Sequence, residues 1–195
     1  MNHPFMAAVA SGLLARNVAT LRYQFPYMEK GEKRPDRPQV AHETVRAAVA
    51  IAHAKFGELP LIAGAKSFGG RMTSQAQAAS PMPGVVGLAF FGLPLHPAGK
   101  PSVERAEHLA EVEVPMLFLQ GSNDALAELG LITPTVKKLG KRAKLVVVEH
   151  ADHSFHVPKR AGRTDHEVLE VLLDAFIDWA KPSRDLNSRQ VPSRR

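Results

Sequence analysis

Leu61-Ile62-Ala63-Gly64-Ala65-Lys66-Ser67-Phe68-Gly69-Gly70 is the stretch whose reading decides the fold. Its opening residues are apolar or small and suit a short buried strand, and its end opens a helix on two adjacent glycines. A serine between strand and helix sits on a sharp turn, where its neighbours must be small because the two backbones approach closely. The positions two before and two after Ser67 are Ala65 and Gly69. The G-x-S-x-G pattern of a nucleophile elbow therefore stands here as Ala-Lys-Ser-Phe-Gly. A serine in that place can also be a simple helix cap. A nucleophilic serine needs more: a base, a group that orients the base, and donors for an oxyanion.

Outward from the elbow, apolar strand-like runs alternate with segments of helical period, which argues for a parallel sheet with helices on both faces. His3-Pro4 opens a first helix with Phe5, Val9 and Leu13 on one side. Residues 18–23 read as a strand and the proline-rich, charged stretch 24–38 as a loop. A second helix over 40–56 is expected to bury Val45, Val49, Ala52 and Phe56 and to stop at Gly57. Residues 59–65 form the strand before Ser67, and the helix after it reaches about Ser80. Strands follow over 85–91, 116–120 and 144–149, with a loop over 92–102 and a short helix between the first two. A long loop, 150–163, precedes a last helix that opens on the capping box Thr164-Asp165-His166-Glu167 and ends at Lys181-Pro182. This gives five strands, no internal repeat and no insertion long enough for a cap.

The residues beyond the strand ends supply the missing parts. Asp124 follows the strand 116–120 in Gln-Gly-Ser-Asn-Asp, a turn able to aim a carboxylate over the sheet. Asp152 adjoins His153 in sequence and is poorly placed to grip that ring from behind. The base candidates are His150, His153 and His156, and the loop beyond the last strand gives His153 the reach. Serine, aspartate and histidine then occur in the chain order that this kind of sheet requires. The three histidines also have ligand-like spacing, but a strand followed by a loop does not hold them on one tetrahedral face, so no metal is expected.

Composition narrows the remaining classes. The chain of 195 residues suits one domain, and the absence of cysteine excludes disulfides, thiolate metal sites and a cysteine nucleophile, leaving the cytoplasm as the default location. No apolar run is long enough to cross a bilayer. The early residues carry no positive charge ahead of their apolar stretch, so they do not read as a secretory signal. Half of the net charge of +6 lies in Arg184, Arg189, Arg194 and Arg195, set against Asp185 alone. The basic run around Lys137 and Lys138 has no interleaved aromatics to stack on bases, and a solvated helix end accounts for it. Nucleic acid is not expected as a partner.

Together these stretches resemble the α/β-hydrolases, in the branch of testis-expressed-protein-30-like and NSL-complex-subunit-3-like domains near the dienelactone hydrolases. The resemblance rests on Asn2-His3-Pro4-Phe5-Met6, on Leu21-Arg22-Tyr23-Gln24-Phe25-Pro26-Tyr27-Met28-Glu29 and on Lys66-Ser67-Phe68-Gly69-Gly70-Arg71-Met72. It continues through Pro94-Leu95-His96-Pro97-Ala98-Gly99-Lys100-Pro101, Phe118-Leu119-Gln120-Gly121-Ser122-Asn123-Asp124 and Asp152-His153-Ser154-Phe155-His156-Val157. It implies a catalytic triad of Ser67, Asp124 and His153, with the Phe68 N–H as an oxyanion donor. It also implies an α/β-hydrolase domain over 1–181, minimal and without a cap, followed by a disordered basic tail over 182–195. Similar proteins place a central strand, whose loop gives a second oxyanion donor, ahead of the helix at which this chain starts. A missing N-terminal strand is therefore expected, from a start placed too far downstream. The implied activity is hydrolysis of an ester, thioester or similar small-molecule acyl substrate, without a cofactor. The alternative is a weak or inactive hydrolase-like scaffold with a protein partner.

Overall fold

The computed structural model describes residues 3–188, with residues 182–188 as backbone only. Pro4 occupies the first turn of α1 (Pro4–Leu14), and a brief helix α2 (Pro26–Glu29) starts on Pro26 within the stretch expected to be loop. The long helix α3 (Pro38–Phe56) also begins on a proline, slightly earlier than its apolar pattern suggests. Strand β1 (Leu61–Lys66) leads through Ser67 into α4 (Phe68–Ala79), then β2 (Val85–Phe91) and a 3-10 helix (Glu104–Glu111). β3 (Met116–Gly121), α5 (Leu129–Lys138), β4 (Ala143–Val148) and α6 (Asp165–Ser188) complete the order.

The four strands are parallel and lie side by side in sequence order, β1-β2-β3-β4. Because side chains alternate across a strand, each central strand feeds two cores. Leu88, Phe90, Met116 and Phe118 pack with α3, α4, α5 and the 3-10 helix on one face. Ala89, Phe91, Leu117 and Leu119 pack with α1 and α6 on the other. On this second face Arg16, in the turn just after α1, bonds Glu170 and Asp174 of α6. The expected capping box closes, with Thr164 N donating to Glu167 Oε2 and Glu167 N to Thr164 Oγ1. Among the described residues no helix is long and apolar enough to cross a membrane.

Two expectations are corrected. Residues 18–23 form no strand, so among the described residues the sheet has four strands rather than five. A segment becomes a strand only when it pairs with a neighbouring strand, and no described strand pairs with these residues. An apolar cavity of about 380 Å³ separates them from β1, lined on one side by Val18, Leu21 and Tyr23 and on the other by Leu61, Ile62 and Gly64. The N–H groups of Leu61 and Ser67 point to Gly84 and Phe91 on the β2 side. By alternation, Ile62, Gly64 and Lys66 turn their backbone groups to the open edge, where no described residue bonds them. The same gap explains Phe56, expected in the core but half exposed, since it lines the cavity instead of packing on a strand.

The second correction concerns α6, which passes the expected stop at Lys181-Pro182 and continues to Ser188. A proline removes one intrahelical bond and crowds the preceding turn, but it leaves later residues free to stay helical. Residues 189–195 of the expected tail and Asn2 of the motif stretches lie outside the described residues.

Candidate active site

The elbow forms where β1 stops pairing. Ser67 has φ 52° and ψ −121°, a backbone conformation that a non-glycine residue holds at a cost of about 1–3 kcal/mol. Its N–H donates to the carbonyl of Phe91 at the end of β2, and its carbonyl accepts the first bond of α4 from Arg71 N. The close approach argued from the sequence is present. A Cβ on Gly69 would stand 3.0 Å from the Cβ of Ala65, and one on Gly70 would stand 3.2 Å from the carbonyl of Ala65. Alanine at 65 therefore fits because glycine occupies 69.

The structure brings Ser67, His153 and Asp124 together. Ser67 Oγ lies 2.8 Å from His153 Nε2, and His153 Nδ1 lies 2.7 Å from Asp124 Oδ2. Asp124 is 1% exposed. As a carboxylate it can only accept, so the proton sits on Nδ1 and Nε2 is left to receive the serine hydrogen. The other Asp124 oxygen accepts from Leu126 N at 2.8 Å, which fixes the carboxylate plane. Beside the serine, the Phe68 N–H is an orphan donor of the first turn of α4, with no acceptor among the described residues.

Other candidates have different surroundings. The exposed His150 gives its backbone N–H to Ser122 Oγ, and His156 pairs through Nδ1 with Asp165 on the surface. That pairing holds His156 above the usual imidazole range and Asp165 below the usual carboxylate range. Asp152 is a turn residue whose Oδ1 accepts from Ser154 N and His156 N. The three histidines thus face separate partners. Among the described residues no three His, Asp or Glu side chains converge in a way that would hold a metal ion.

Three supporting residues escaped the sequence reading. Gln120, fully buried at the end of β3, donates from Nε2 to Asp124 Oδ2 at 2.5 Å and accepts from Leu93 N at 3.2 Å. A polar residue closing the apolar run Met116-Leu117-Phe118-Leu119 was the available signal. Lys66 donates from Nζ to the carbonyl of His153 at 2.6 Å and lies 5.0 and 5.1 Å from the ring centres of Phe5 and Phe155, which stack on each other. Burial lowers its pKa, while Asp124 and Asp152 pull it back up. Gly121 lets the histidine loop cross the end of β3, for any Cβ there would overlap the carbonyl of Ala151.

Comparisons to known proteins bear on the family and the fold. A family model described as an alpha/beta hydrolase domain matches residues 1–181. An alpha-beta serine hydrolase homologue from Coxiella burnetii superposes with a TM-score of 0.71 at 21% identity, over 89% of this chain and 76% of that one. A serine hydrolase without a lid from Xanthomonas campestris gives 0.69 at 19% identity, over 92% and 75%. A dienelactone hydrolase from Anabaena variabilis gives 0.67 at 20% identity, over 91% and 80%. At these identities the likeness to solved structures concerns the fold.

Proposed function

Since the chain belongs to the alpha/beta hydrolase family, we propose that it is a serine hydrolase cleaving esters, thioesters or similar acyl compounds. The observation that carries this reading is the unbroken chain from Ser67 Oγ through His153 to Asp124, at 2.8 and 2.7 Å, on a serine with positive φ. Ser67 Oγ attacks the acyl carbon while its proton passes to His153 Nε2, and the carbonyl electrons move onto oxygen beside the Phe68 N–H. Collapse expels the alcohol or thiol, which takes the proton from Nε2. Water then repeats the sequence and frees the acid. Asp124 keeps the imidazole in the required tautomer and balances the imidazolium that forms.

The finer placement belongs to the same proposal: the testis-expressed-protein-30-like and NSL-complex-subunit-3-like branch, supported by the motif stretches around Ser67, Asp124 and His153. So do the division into a domain over 1–181 and a tail over 182–195, and a cytoplasmic location. Nitrophenyl ester hydrolysis by the purified chain, with Ser67→Ala beside it, tests the activity. Turnover above the Ser67→Ala background supports it, and equal rates refute it.

One observation favours a second reading, a scaffold that binds a protein partner and turns over little. The backbone edge of β1 next to the elbow is open, and an incomplete oxyanion site costs about a hundred- to a thousandfold in rate. Partner capture retained by Ser67→Ala, with no hydrolysis by the wild type, would support the scaffold.

A further inference from the structure

The face of α4 that continues from Ser67 carries charge the triad does not use. Residues three and four apart share a helix face, which aligns Phe68 with Arg71 and Arg71 with Ser74 and Gln75. Helical side chains lean toward the N-terminus, so Arg71 reaches back toward the elbow. Its guanidinium carbon lies 5.8 Å from the centre of the Phe68 ring. The 3-10 helix Glu104–Glu111 brings Arg105 and His108 to the same place, and His108 Nε2 lies 2.7 Å from Ser74 Oγ. His42 of α3 adds its ring beside His108, 3.2 Å from Gln75 Oε1.

The two arginines of this cluster lack counter-charges among the described residues. The arginines of intermediate burial are Arg16, Arg46, Arg71, Arg105 and Arg142. Arg16 is paired with Glu170 and Asp174, Arg46 with the carbonyls of Ala76 and Ser80, and Arg142 with those of Ala110 and Val112. Arg71 and Arg105 have no ion pair and no guanidinium hydrogen bond among the described residues, and Arg71 Nε is buried without a partner. Burial, and then the nearby Arg105, lower the Arg71 pKa. Burial, then Arg71 and His42, push His108 down to about 4, so it stays neutral at pH 7. A buried guanidinium nitrogen without an acceptor, close enough to a second unpaired guanidinium to feel its charge, leaves unmet donors whose natural complement is an oxyanion.

We propose that Arg71 and Arg105 form a subsite for an oxyanion carried by the substrate, a carboxylate or a phosphate, one helical turn from Ser67. The inference deepens the hydrolase reading and rests on it: the acyl compound is anionic. Arg71 is about 6 Å along the helix axis from Ser67, and its side chain spans part of that distance back. A substrate with its scissile carbonyl at Ser67 Oγ would therefore hold its anionic group a few bonds away.

The test compares nitrophenyl esters of matched chain length ending in a methyl group, a carboxylate or a phosphate. The wild type should favour an anionic ester over the neutral one by about ten- to a hundredfold in kcat/KM, the scale of a charge-assisted hydrogen bond. The preferred anion identifies the source. The selectivity ratio should fall toward one in Arg71→Met and in Arg105→Met, survive in part in Arg71→Lys, and shrink with added salt. Equal losses for neutral and anionic esters, or a wild type without preference, would overturn the subsite. A separate readout covers an inactive chain, namely stabilisation against heat by glutarate or inorganic phosphate relative to sodium chloride of equal ionic strength. Stabilisation lost in Arg71→Met supports the subsite even where the hydrolase reading fails. Its absence in the wild type counts against the subsite alone.

Discussion

Asp124→Asn changes one atom and tests how the buried carboxylate is wired. Oδ1 faces the N–H of Leu126 and Oδ2 faces both Gln120 Nε2 and His153 Nδ1. The Leu126 donor is backbone, so the asparagine must present its carbonyl there and its amide nitrogen to Gln120 and His153. Gln120 cannot resolve the clash by flipping, because its own oxygen accepts from Leu93 N. His153 must then accept at Nδ1 and carry its proton on Nε2, the tautomer that cannot take the Ser67 hydrogen. The same change in the serine protease template costs about 10⁴ in kcat, and a loss of that order, about 5.5 kcal/mol in barrier, is expected here. Two donors facing each other in a buried place should also cost about 1–3 kcal/mol of stability. Adding Gln120→Glu supplies an acceptor for the asparagine amide and still accepts from Leu93. The double variant should therefore regain thermal stability and remain inactive, as read by melting and by ester turnover. Asp124→Asn activity within tenfold of wild type would refute the assigned orientation. Activity restored along with stability by the second change would refute the tautomer argument.

The remaining predictions concern the supports. Gly69→Ala should destabilise by about 1–3 kcal/mol through overpacking against Ala65, and Ala65→Gly on the same chain should recover most of it in urea denaturation. Gly121→Ala should displace the loop carrying His153, because its Cβ meets the Ala151 carbonyl; chemical probes of Ser67 should then react far more slowly in protein that still folds by circular dichroism. His108 is held at about 4 by burial, Arg71 and His42, while the unfolded chain takes up the proton near 6.5. The unfolded state thus binds more protons between these values, and stability should fall as pH drops from about 6.5 to 4. His108→Gln should flatten that part of the urea midpoint profile.

Ser67, Asp124 and His153 were legible in the sequence because chain order and strand ends constrain them, whatever the details of packing. Gln120 and Lys66 were not, because their roles depend on which way a strand-end side chain turns and what it can reach. Strand parity sends Gln120 to Asp124, and the short path from β1 to the histidine loop sends Lys66 to the His153 carbonyl. Residues 18–23 read as a strand because extended conformation is encoded locally, whereas pairing depends on a neighbour at the β1 edge. Phe56 failed for the same reason, its helix periodicity being right and the surface it was meant to cover being a cavity. The end of α6 shows that a proline marks a cost to a helix more reliably than its last residue.

Reaction with a fluorophosphonate probe, read by intact mass and peptide mapping, tests most directly whether Ser67 is an activated nucleophile. A single adduct on Ser67, absent in Ser67→Ala and formed far more slowly in His153→Ala, is the result predicted. No adduct on Ser67, or labelling at an unchanged rate without His153, would contradict the account.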